Sequence, residues 1–521
     1  METPEPHTVS LLNIPAKQAP AEPHSVVTEW VDKFRASLMQ GKVSDLQQLL
    51  HKDAWLRDMV VLLWDLHTLH GAECVAVYFQ ENLDRAKFEK LRIRDSGQFA
   101  PAFKTAAPGL KWIETMFDFE METGKEKRAR EKSFKVSEPI LLVIEAGQAG
   151  LMIGARLGRL GIPTLIIERN SRIGDNWRNR YKYTPKDKLA DWFEVYASTM
   201  ELNTWSVTVH LNDGTSHTVH LHHIVLATGH SGEPLVPDFP GKEQFQGELY
   251  HSSQHKHASQ HEGIKGKKVI IVSTGNSSHD IAQDFYENSA DVTMLQHCGT
   301  FVITQKHRVT VLMTDMYDET SPPTDEADTY MQSMPIPVQF TCHIFAMKMI
   351  SKGPETATQG GLRRAGFKLD ACHDGAGVFR KYLTHEGGYY INVSCSQLII
   401  DGKIKVKQSA GGIEWFEPGG LMLADIKGMK LAADIVLLAT RYDNMRSTAR
   451  KIMGDKVADK LYPEWDLDDE GEINVIWCYS GHSNFWYMGG NLALCRLFSR
   501  LLVLQILGVE AGLYVLLQSK K

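Results

Sequence analysis

Between Leu141 and Asn170 the chain reads LLVIEAGQAGLMIGARLGRLGIPTLIIERN: an apolar strand, a tight turn, a helix, a Gly-Ile-Pro turn and a second apolar strand ending at Glu168. Residues 267–297, KKVIIVSTGNSSHDIAQDFYENSADVTMLQH, repeat the plan. Strands that alternate with helices in this way predict parallel sheets with helices on both faces. The fold class read from the sequence is therefore α/β, with two Rossmann-like units. The phrase IVLATG at 224–229 returns as IVLLATR at 435–441, each an apolar strand entering a small-residue turn, so the first unit is expected to enclose the second.

A dinucleotide turn uses three glycines for separate reasons. The first permits the tight turn, the second lets backbone approach the pyrophosphate, and the third lets helix and strand pack closely. In the first unit Gly147 and Gly150 hold the second and third places, with Gln148 and Ala149 between them, but Glu145 stands in the first. Glu168 ends the following strand, where a carboxylate can accept from ribose hydroxyls. In the second unit Ser273, Gly275 and Ser278 occupy the three places, and Asn276 and Ser277 open the helix. Two such units predict two nucleotides.

If Glu145 must keep a positive φ, the strain costs about 1 to 3 kcal/mol. A carboxylate about 5 Å from the pyrophosphate adds roughly 3 kcal/mol at an effective dielectric of about 20. Together these weaken a dinucleotide by about two to four orders of magnitude. The site is expected to be damaged and still present.

The rest of the composition narrows the function class. The 521 residues are 43% hydrophobic and carry a net charge of -6, with no basic run interleaved with aromatics, which argues for small-molecule chemistry and against nucleic acid. Seven cysteines without a CxxC pair argue against a disulfide framework or zinc ribbon, and predict a reducing, cytoplasmic setting. His255, His257 and His261 read as a polar loop without ligand spacing, so no metal is expected. The opening residues lack the apolar core of a secretory signal. Near the other end, Arg500 and Glu510 divide LFSRLLVLQILGVEAGLYVLLQSKK into short apolar runs, which predicts a buried core helix and no membrane span, with membrane-surface contact as the alternative.

Along the chain, residues 1–27 read as a flexible lead-in and 28–135 as a first α+β domain. In the latter EWVDKFRASLMQ and AECVAVYFQENLDR have helical spacing and MVVLLWDLHTLHG reads as one long strand. The charged stretch ETGKEKRAREKSFKVSEP marks a linker. Beyond it the expected order is 136–262 for the first dinucleotide domain, 263–345 for the second, and 346–521 for the return to the first. The N-terminal region, with LLWDLHTLHG, resembles the cone-like fold of nuclear transport factor 2.

Several segments together carry a second resemblance. ERNSRIGDNW joins the acidic strand end to a Gly and a Trp, FQGELYHSS (245–253) fits an FxGxxxH signature, and EGGYYINVSCSQLIIDGKIKV, ATRYDNM and SGHSNFWYMGGNLALCR follow. From Pro139 onward the chain resembles the flavin-containing monooxygenase family, in particular fungal members with an extra N-terminal domain. The resemblance implies FAD at the first unit and NADPH at the second. It implies delivery of one oxygen atom of O2, through a flavin hydroperoxide, to a small organic substrate, with a role in fungal secondary metabolism. It assigns Gly147, Gln148, Ala149, Gly150, Glu168, Asn176 and Trp177 to FAD, and brings Asn491 and its helix start near the flavin. Gly275, Asn276, Ser277 and Ser278 fall to NADPH, with His297 where relatives carry a phosphate-reading arginine. Each has a plainer alternative: Trp177 as a core aromatic, Asn276 and Ser277 as helix caps, and His251 of the signature as a packed link between domains.

The chain also departs from the family. Arg441 takes a third glycine place, and DNWRNRYKYTPKDKLADW runs straight past the position of a long loop that carries the family's flavin-facing asparagine, so no catalytic residue is assigned. MELNTWSVTVHLNDG is likewise abbreviated, as a missing exon would leave it. Two other functions stay open: an impaired relative serving as a binding or scaffold protein, and an NADPH oxidoreductase that never oxygenates. A homodimer is also left open.

Overall fold

The computed structural model describes residues 22–40, 42–59, 65–82, 92–93, 102–107, 110–114, 117–118, 139–170, 172–178, 204–205, 221–229, 232–314, 316–318, 321–385, 387–426 and 428–512. The lead-in through 21, nearly all of the charged linker, and the abbreviated segment beyond Arg178 lie outside these residues.

The N-terminal part holds helices Pro23–Gln40, Val43–Leu49 and Ala72–Asn82, joined by their apolar faces through Val31, Phe34, Leu46, Val75 and Phe79. Strands β1 (Trp55–Met59) and β2 (Leu66–His70) pair antiparallel, with Arg57 opposite Thr68. This corrects the reading of MVVLLWDLHTLHG as one strand. The run is apolar enough for either arrangement and has no Gly or Pro to mark a reversal until Gly71. Two more antiparallel pairs follow: β3 (Arg92–Ile93) with β6 (Phe117–Asp118), and β4 (Ala102–Ala107) with β5 (Leu110–Glu114).

The first large sheet contains β7 (Leu141–Ile144), β8 (Thr164–Ile167), β9 (Thr204–Trp205), β10 (His223–Leu226) and β21 (Phe485–Tyr487), in the order β21-β10-β7-β8-β9, every pairing parallel. The stretches LLVI, TLII and HIVL are almost continuously apolar because a central parallel strand is covered on both faces.

Helix Gln148–Arg159 crosses from β7 to β8, and the Arg156 guanidinium ties it to helix Leu492–Glu510 by donating to Ser499 Oγ at 2.8 Å and the Arg496 carbonyl at 2.9 Å. Helix Leu492–Glu510 is long and apolar enough to cross a membrane, so Arg500 does not interrupt it as the sequence reading supposed. Its apolarity has a core use: Leu494, Leu497, Phe498, Leu502, Val503 and Ile506 are buried in the main cluster.

The second sheet is assembled from β11 (Glu248–His251), β12 (Lys268–Val272), β13 (Asp291–Gln296), β16 (Lys405–Gln408) and β20 (Ile435–Leu438), in the order β11-β20-β12-β13-β16, again parallel throughout. The parallel pair β14 (Phe301–Thr304) and β15 (Tyr389–Asn392) and the antiparallel set β17 (Ile413–Glu417), β18 (Gly420–Leu423) and β19 (Lys430–Ala432) flank it.

All of this lies between β10 and β21 of the first sheet, so the first unit encloses the second. The second sheet nevertheless reaches well past 263–345, taking 248–251 on one side and 405–408 and 435–438 on the other. Nothing local to a short apolar strand states which of two parallel sheets it will join, because its partners come from distant crossovers.

Candidate active site: two strained turns and one cleft

At the end of β7 the backbone turns through Glu145 with φ +81°. Gly147 is the N-cap of helix Gln148–Arg159 and brings no side-chain cap, so the helix start keeps amides without intrahelical partners. The helix presses on the turn. A Cβ at Gly150 would lie 1.9 Å from the Glu145 carbonyl oxygen, which is the close packing that a third glycine serves.

Glu168 secures this turn from β8. Its Oε2 accepts from the Ala146 amide at 2.8 Å, and its Oε1 from the amide and side chain of Asn170 at 2.9 and 2.6 Å. The carboxylate expected to reach ribose is thus already engaged inside the chain. The Glu145 carboxylate pairs with Arg169, Oε1 to Nε 3.1 Å. Burial pushes the Glu145 carboxyl up to about 7, the neighbouring Glu168 charge adds to the rise, and Arg169 opposes it.

The second turn repeats the first. Ser273 follows β12 with φ +100°, and Gly275 caps helix Asn276–Glu287 without a side-chain bond. The nearest atom to a Cβ built at Gly275 is the Tyr389 carbonyl oxygen, 4.0 Å away, so the protein itself leaves this backbone uncovered. Asn276 does not cap the helix; its Oδ1 accepts from the Ile391 amide at 2.9 Å and fastens the helix start to β15. Ser277 is exposed, and Ser278, in the third glycine place, is buried with no hydrogen-bond partner for its Oγ among the described residues. His297 is exposed just past β13, with Nδ1 2.9 Å from Cys298 Sγ.

Arg441, the third residue in a glycine place, has φ +78°. His251 holds it: Nε2 lies 3.0 Å from the Arg441 carbonyl oxygen and Nδ1 accepts from the Ser253 amide at 3.1 Å. A carbonyl can only accept, so the proton sits on Nε2. Burial lowers the His251 pKa and keeps the ring neutral. The signature histidine is a packed link between β11 and the turn after β20.

A cleft of about 440 Å³ opens at the C-terminal ends of the first sheet's strands. Glu145 and Gly147 line it from the first turn, Arg169 and Asn170 from the end of β8, Ala227 and Thr228 from the end of β10, and Ser252, Ser253 and Tyr442 from the second unit. Glu233 and Lys451, 2.7 Å apart, complete the rim. Among the sequence-predicted residues only Gly147 lines this cleft.

Asn491 acts as the N-cap of helix Leu492–Glu510, accepting from the Leu494 amide at 3.0 Å, while Gln148 Nε2 donates to the Gly490 carbonyl at 2.5 Å. Trp177 is half-buried against the main core. Ala149 is buried within its helix, and the Asn176 side chain lies outside the described residues. Gly275, Asn276, Ser277, Ser278 and His297 belong to the second sheet's own edge.

The cleft suits an anionic dinucleotide in two respects: open amides after Gly147, and a buried hydroxyl on its wall, Thr228 Oγ1, without a partner among the described residues. Glu145 opposes it when ionised. Sequence reasoning missed Arg169, Thr228 and the Glu233–Lys451 pair: the first two lie inside quoted motifs, ERNSRIGDNW and IVLATG, without being assigned a role, and the pair occupies no patterned position.

A profile of the "Flavin-binding monooxygenase-like" family matches residues 193–317. The chain is 25% identical over 349 residues to the probable indole-3-pyruvate monooxygenase YUCCA3 of Arabidopsis thaliana, covering 58% of this chain and 72% of that protein. It is 33% identical over 142 residues to human flavin-containing monooxygenase 2, covering 23% of this chain and 26% of that protein. OTEMO in complex with FAD and NADP superposes with a TM-score of 0.49 at 14% identity, over 72% of this chain and 86% of that one. With the FxGxxxH segment leading into β11 and its histidine link, and with one parallel-sheet unit nested in another, these sequence matches show what the protein is similar to: the flavin-containing monooxygenase family.

Proposed function

We propose that this chain is an FAD- and NADPH-dependent monooxygenase that places one oxygen atom of O2 into a small organic molecule. The observation that carries the reading is the pair of strand-turn-helix corners, Glu145–Gly147 and Ser273–Gly275, each strained in the same way and each opening a helix whose first amides lack internal partners. Gly147 and Gln148 would hold the FAD diphosphate, with Thr228 donating from the end of β10. Gly275 and the start of helix Asn276–Glu287 would take the nicotinamide dinucleotide, with His297 at its phosphate edge. A bound flavin supplies the electron transfer and oxygen activation, which no side chain can. The protein's part is to orient the two dinucleotides and to keep water from the reacting centre. His251 serves the second task indirectly, by fixing the Arg441–Tyr442 wall of the cleft.

Keto acids, amines, sulfides and ketones are the substrate classes to test, the first two motivated by the names of the matched relatives. A cytoplasmic role in fungal secondary metabolism, and residues 28–135 as an accessory unit of the nuclear transport factor 2 type, are part of the same proposal. The lead-in ends before Pro23 and not at 27, because helix Pro23–Gln40 takes in 23–27 and buries Val27. The seven free thiols support the reducing compartment.

A second reading, an impaired relative retained for binding, is favoured by one observation: an ionisable carboxylate, Glu145, on the wall of the cleft. The visible absorbance spectrum of the purified protein, before and after incubation with FAD, separates the two. Flavin bands that survive gel filtration support the enzyme; a colourless protein after incubation supports the binding role.

A further inference from the structure

Glu145 does more than occupy a glycine's place. Its backbone is pinned: φ is +81°, its amide donates to the Ile167 carbonyl at 2.8 Å, and its carbonyl oxygen is so close to Gly150 that not even a methyl group fits between. The backbone is fixed by this packing, and the carboxylate lies on the wall of the cleft, 14% exposed. Its partner differs. Arg169 is 66% exposed and held to Glu145 by a single 3.1 Å contact, so it can leave at little cost.

The charged groups around Glu145 are Glu168 and Arg169 from the end of β8, Asp175 from the short helix Asp175–Arg178, and the Glu233–Lys451 pair across the cleft. Two carboxylates, Glu145 and Glu168, lie beside the helix start, and the cation paired with Glu145 among the described residues, Arg169, is largely exposed.

We propose that Glu145 and Arg169 form a proton-operated gate on the dinucleotide cleft. In the closed form ionised Glu145 holds Arg169 across the helix start. A diphosphate entering at Gly147 draws Arg169 to its own oxygens, and Glu145, left without a cation beside Glu168 and the arriving negative charge, takes one proton from solvent. Protonated Glu145 then offers an O–H to the diphosphate instead of repelling it. No bond other than O–H forms, and the proton balance is one taken up for each dinucleotide bound. Glu145 stands poised for this near neutral pH because burial and Glu168 have already raised its carboxyl to about 7.

The inference rests on the reading of the cleft as an FAD-type dinucleotide site, and the test separates the two. Full-length wild type, Glu145→Gln and Glu145→Gly are titrated between pH 6 and pH 9 with FAD, followed by flavin fluorescence, and with ADP-ribose, followed by calorimetry in buffers of different ionisation enthalpy. ADP-ribose carries the diphosphate without a flavin. Wild type should lose affinity for both about tenfold per pH unit above about 7 and take up about one proton at pH 8. Both variants should be flat in pH and take up none, and Glu145→Gly should be the more stable of the two in urea because its turn is unstrained. FAD binding by wild type that is independent of pH, without proton uptake, overturns the gate and leaves the flavin site standing. Failure of all three proteins to bind FAD at any pH overturns both.

Discussion

Arg57 and Glu472 are 415 residues apart in sequence and meet as a buried two-point ion pair: Nε donates to Oε2 at 2.7 Å and Nη2 to Oε1 at 2.6 Å, with both side chains 1% exposed. Thr68 Oγ1 adds a 3.1 Å bond to Oε2, and the remaining arginine nitrogen donates to the Gln332 carbonyl. β1 of the N-terminal part is thereby locked to the segment that leads into β21. Leu66 of β2 is buried in the main core alongside that clamp.

Removing one member of such a pair leaves a buried charge alone, which costs about 3 to 5 kcal/mol. Arg57→Ala and Glu472→Gln are each expected to lower the midpoint of urea unfolding by a corresponding amount. Arg57→Met with Glu472→Leu should cost clearly less than either single change, because no charge is stranded. Equal losses in all three proteins would mean that the contact is packing and not charge.

Glu145 makes stability depend on pH in a direction set by its raised pKa. The folded form holds its proton up to about 7, against an ordinary value of 4.5, so the contribution is fully present below about 4.5 and lost as pH rises through about 7. The displacement corresponds to about 3 kcal/mol. Wild type is expected to be less stable in urea at pH 8 than at pH 5 by more than Glu145→Gln is; identical pH profiles would contradict this.

His251 carries the opposite sign. Burial lowers its pKa, so its contribution is present above the ordinary value of 6.5 and lost as pH falls through the lower folded value. His251→Ala removes the donor to the Arg441 carbonyl and is expected to cost about 1 to 3 kcal/mol at pH 7. The variant should also lose part of the wild type's destabilisation between pH 7 and pH 5, read by thermal unfolding.

Coenzyme choice follows from His297, which is exposed and has Cys298 as its neighbour where a guanidinium would grip a phosphate from two sides. NADPH is expected to be preferred over NADH by less than about a thousandfold in kcat/KM, or about 4 kcal/mol. His297→Arg should widen the preference, and a larger preference in wild type would point to a different phosphate contact.

The backbone demands of this fold were legible in the sequence because they are set by topology, and residue identity exposes the exceptions. Glu145, Ser273 and Arg441 stand in glycine places, and each adopts a positive φ, of +81°, +100° and +78°. Side-chain partnerships were not legible. Asp284 and Glu248 end a hydrogen-bonded chain through His255, Tyr250 and His261, whose histidines read as a polar loop, and only the packing of the loop after β11 against helix Asn276–Glu287 brings them together. Glu168 was placed correctly at the strand end, yet its use in fastening the Ala146 amide depends on a turn geometry that the sequence shows only in outline. Sheet membership of β16 and β20 was hidden for a different reason: four-residue strands, whether polar like KVKQ or apolar like IVLL, carry no address.

The most direct measurement is the dissociation constant for FAD of wild type and of the triple variant Glu145→Gly, Ser273→Gly, Arg441→Gly, read by flavin fluorescence at pH 8. The triple variant loses three strained backbones and one negative charge at the diphosphate. The expected result is micromolar or weaker binding by wild type and binding at least tenfold tighter by the triple variant, with NADPH oxidation appearing in the latter. Absence of FAD binding in both proteins, or tighter binding by wild type, would contradict the account of a flavin site that is weakened at its first turn and still present.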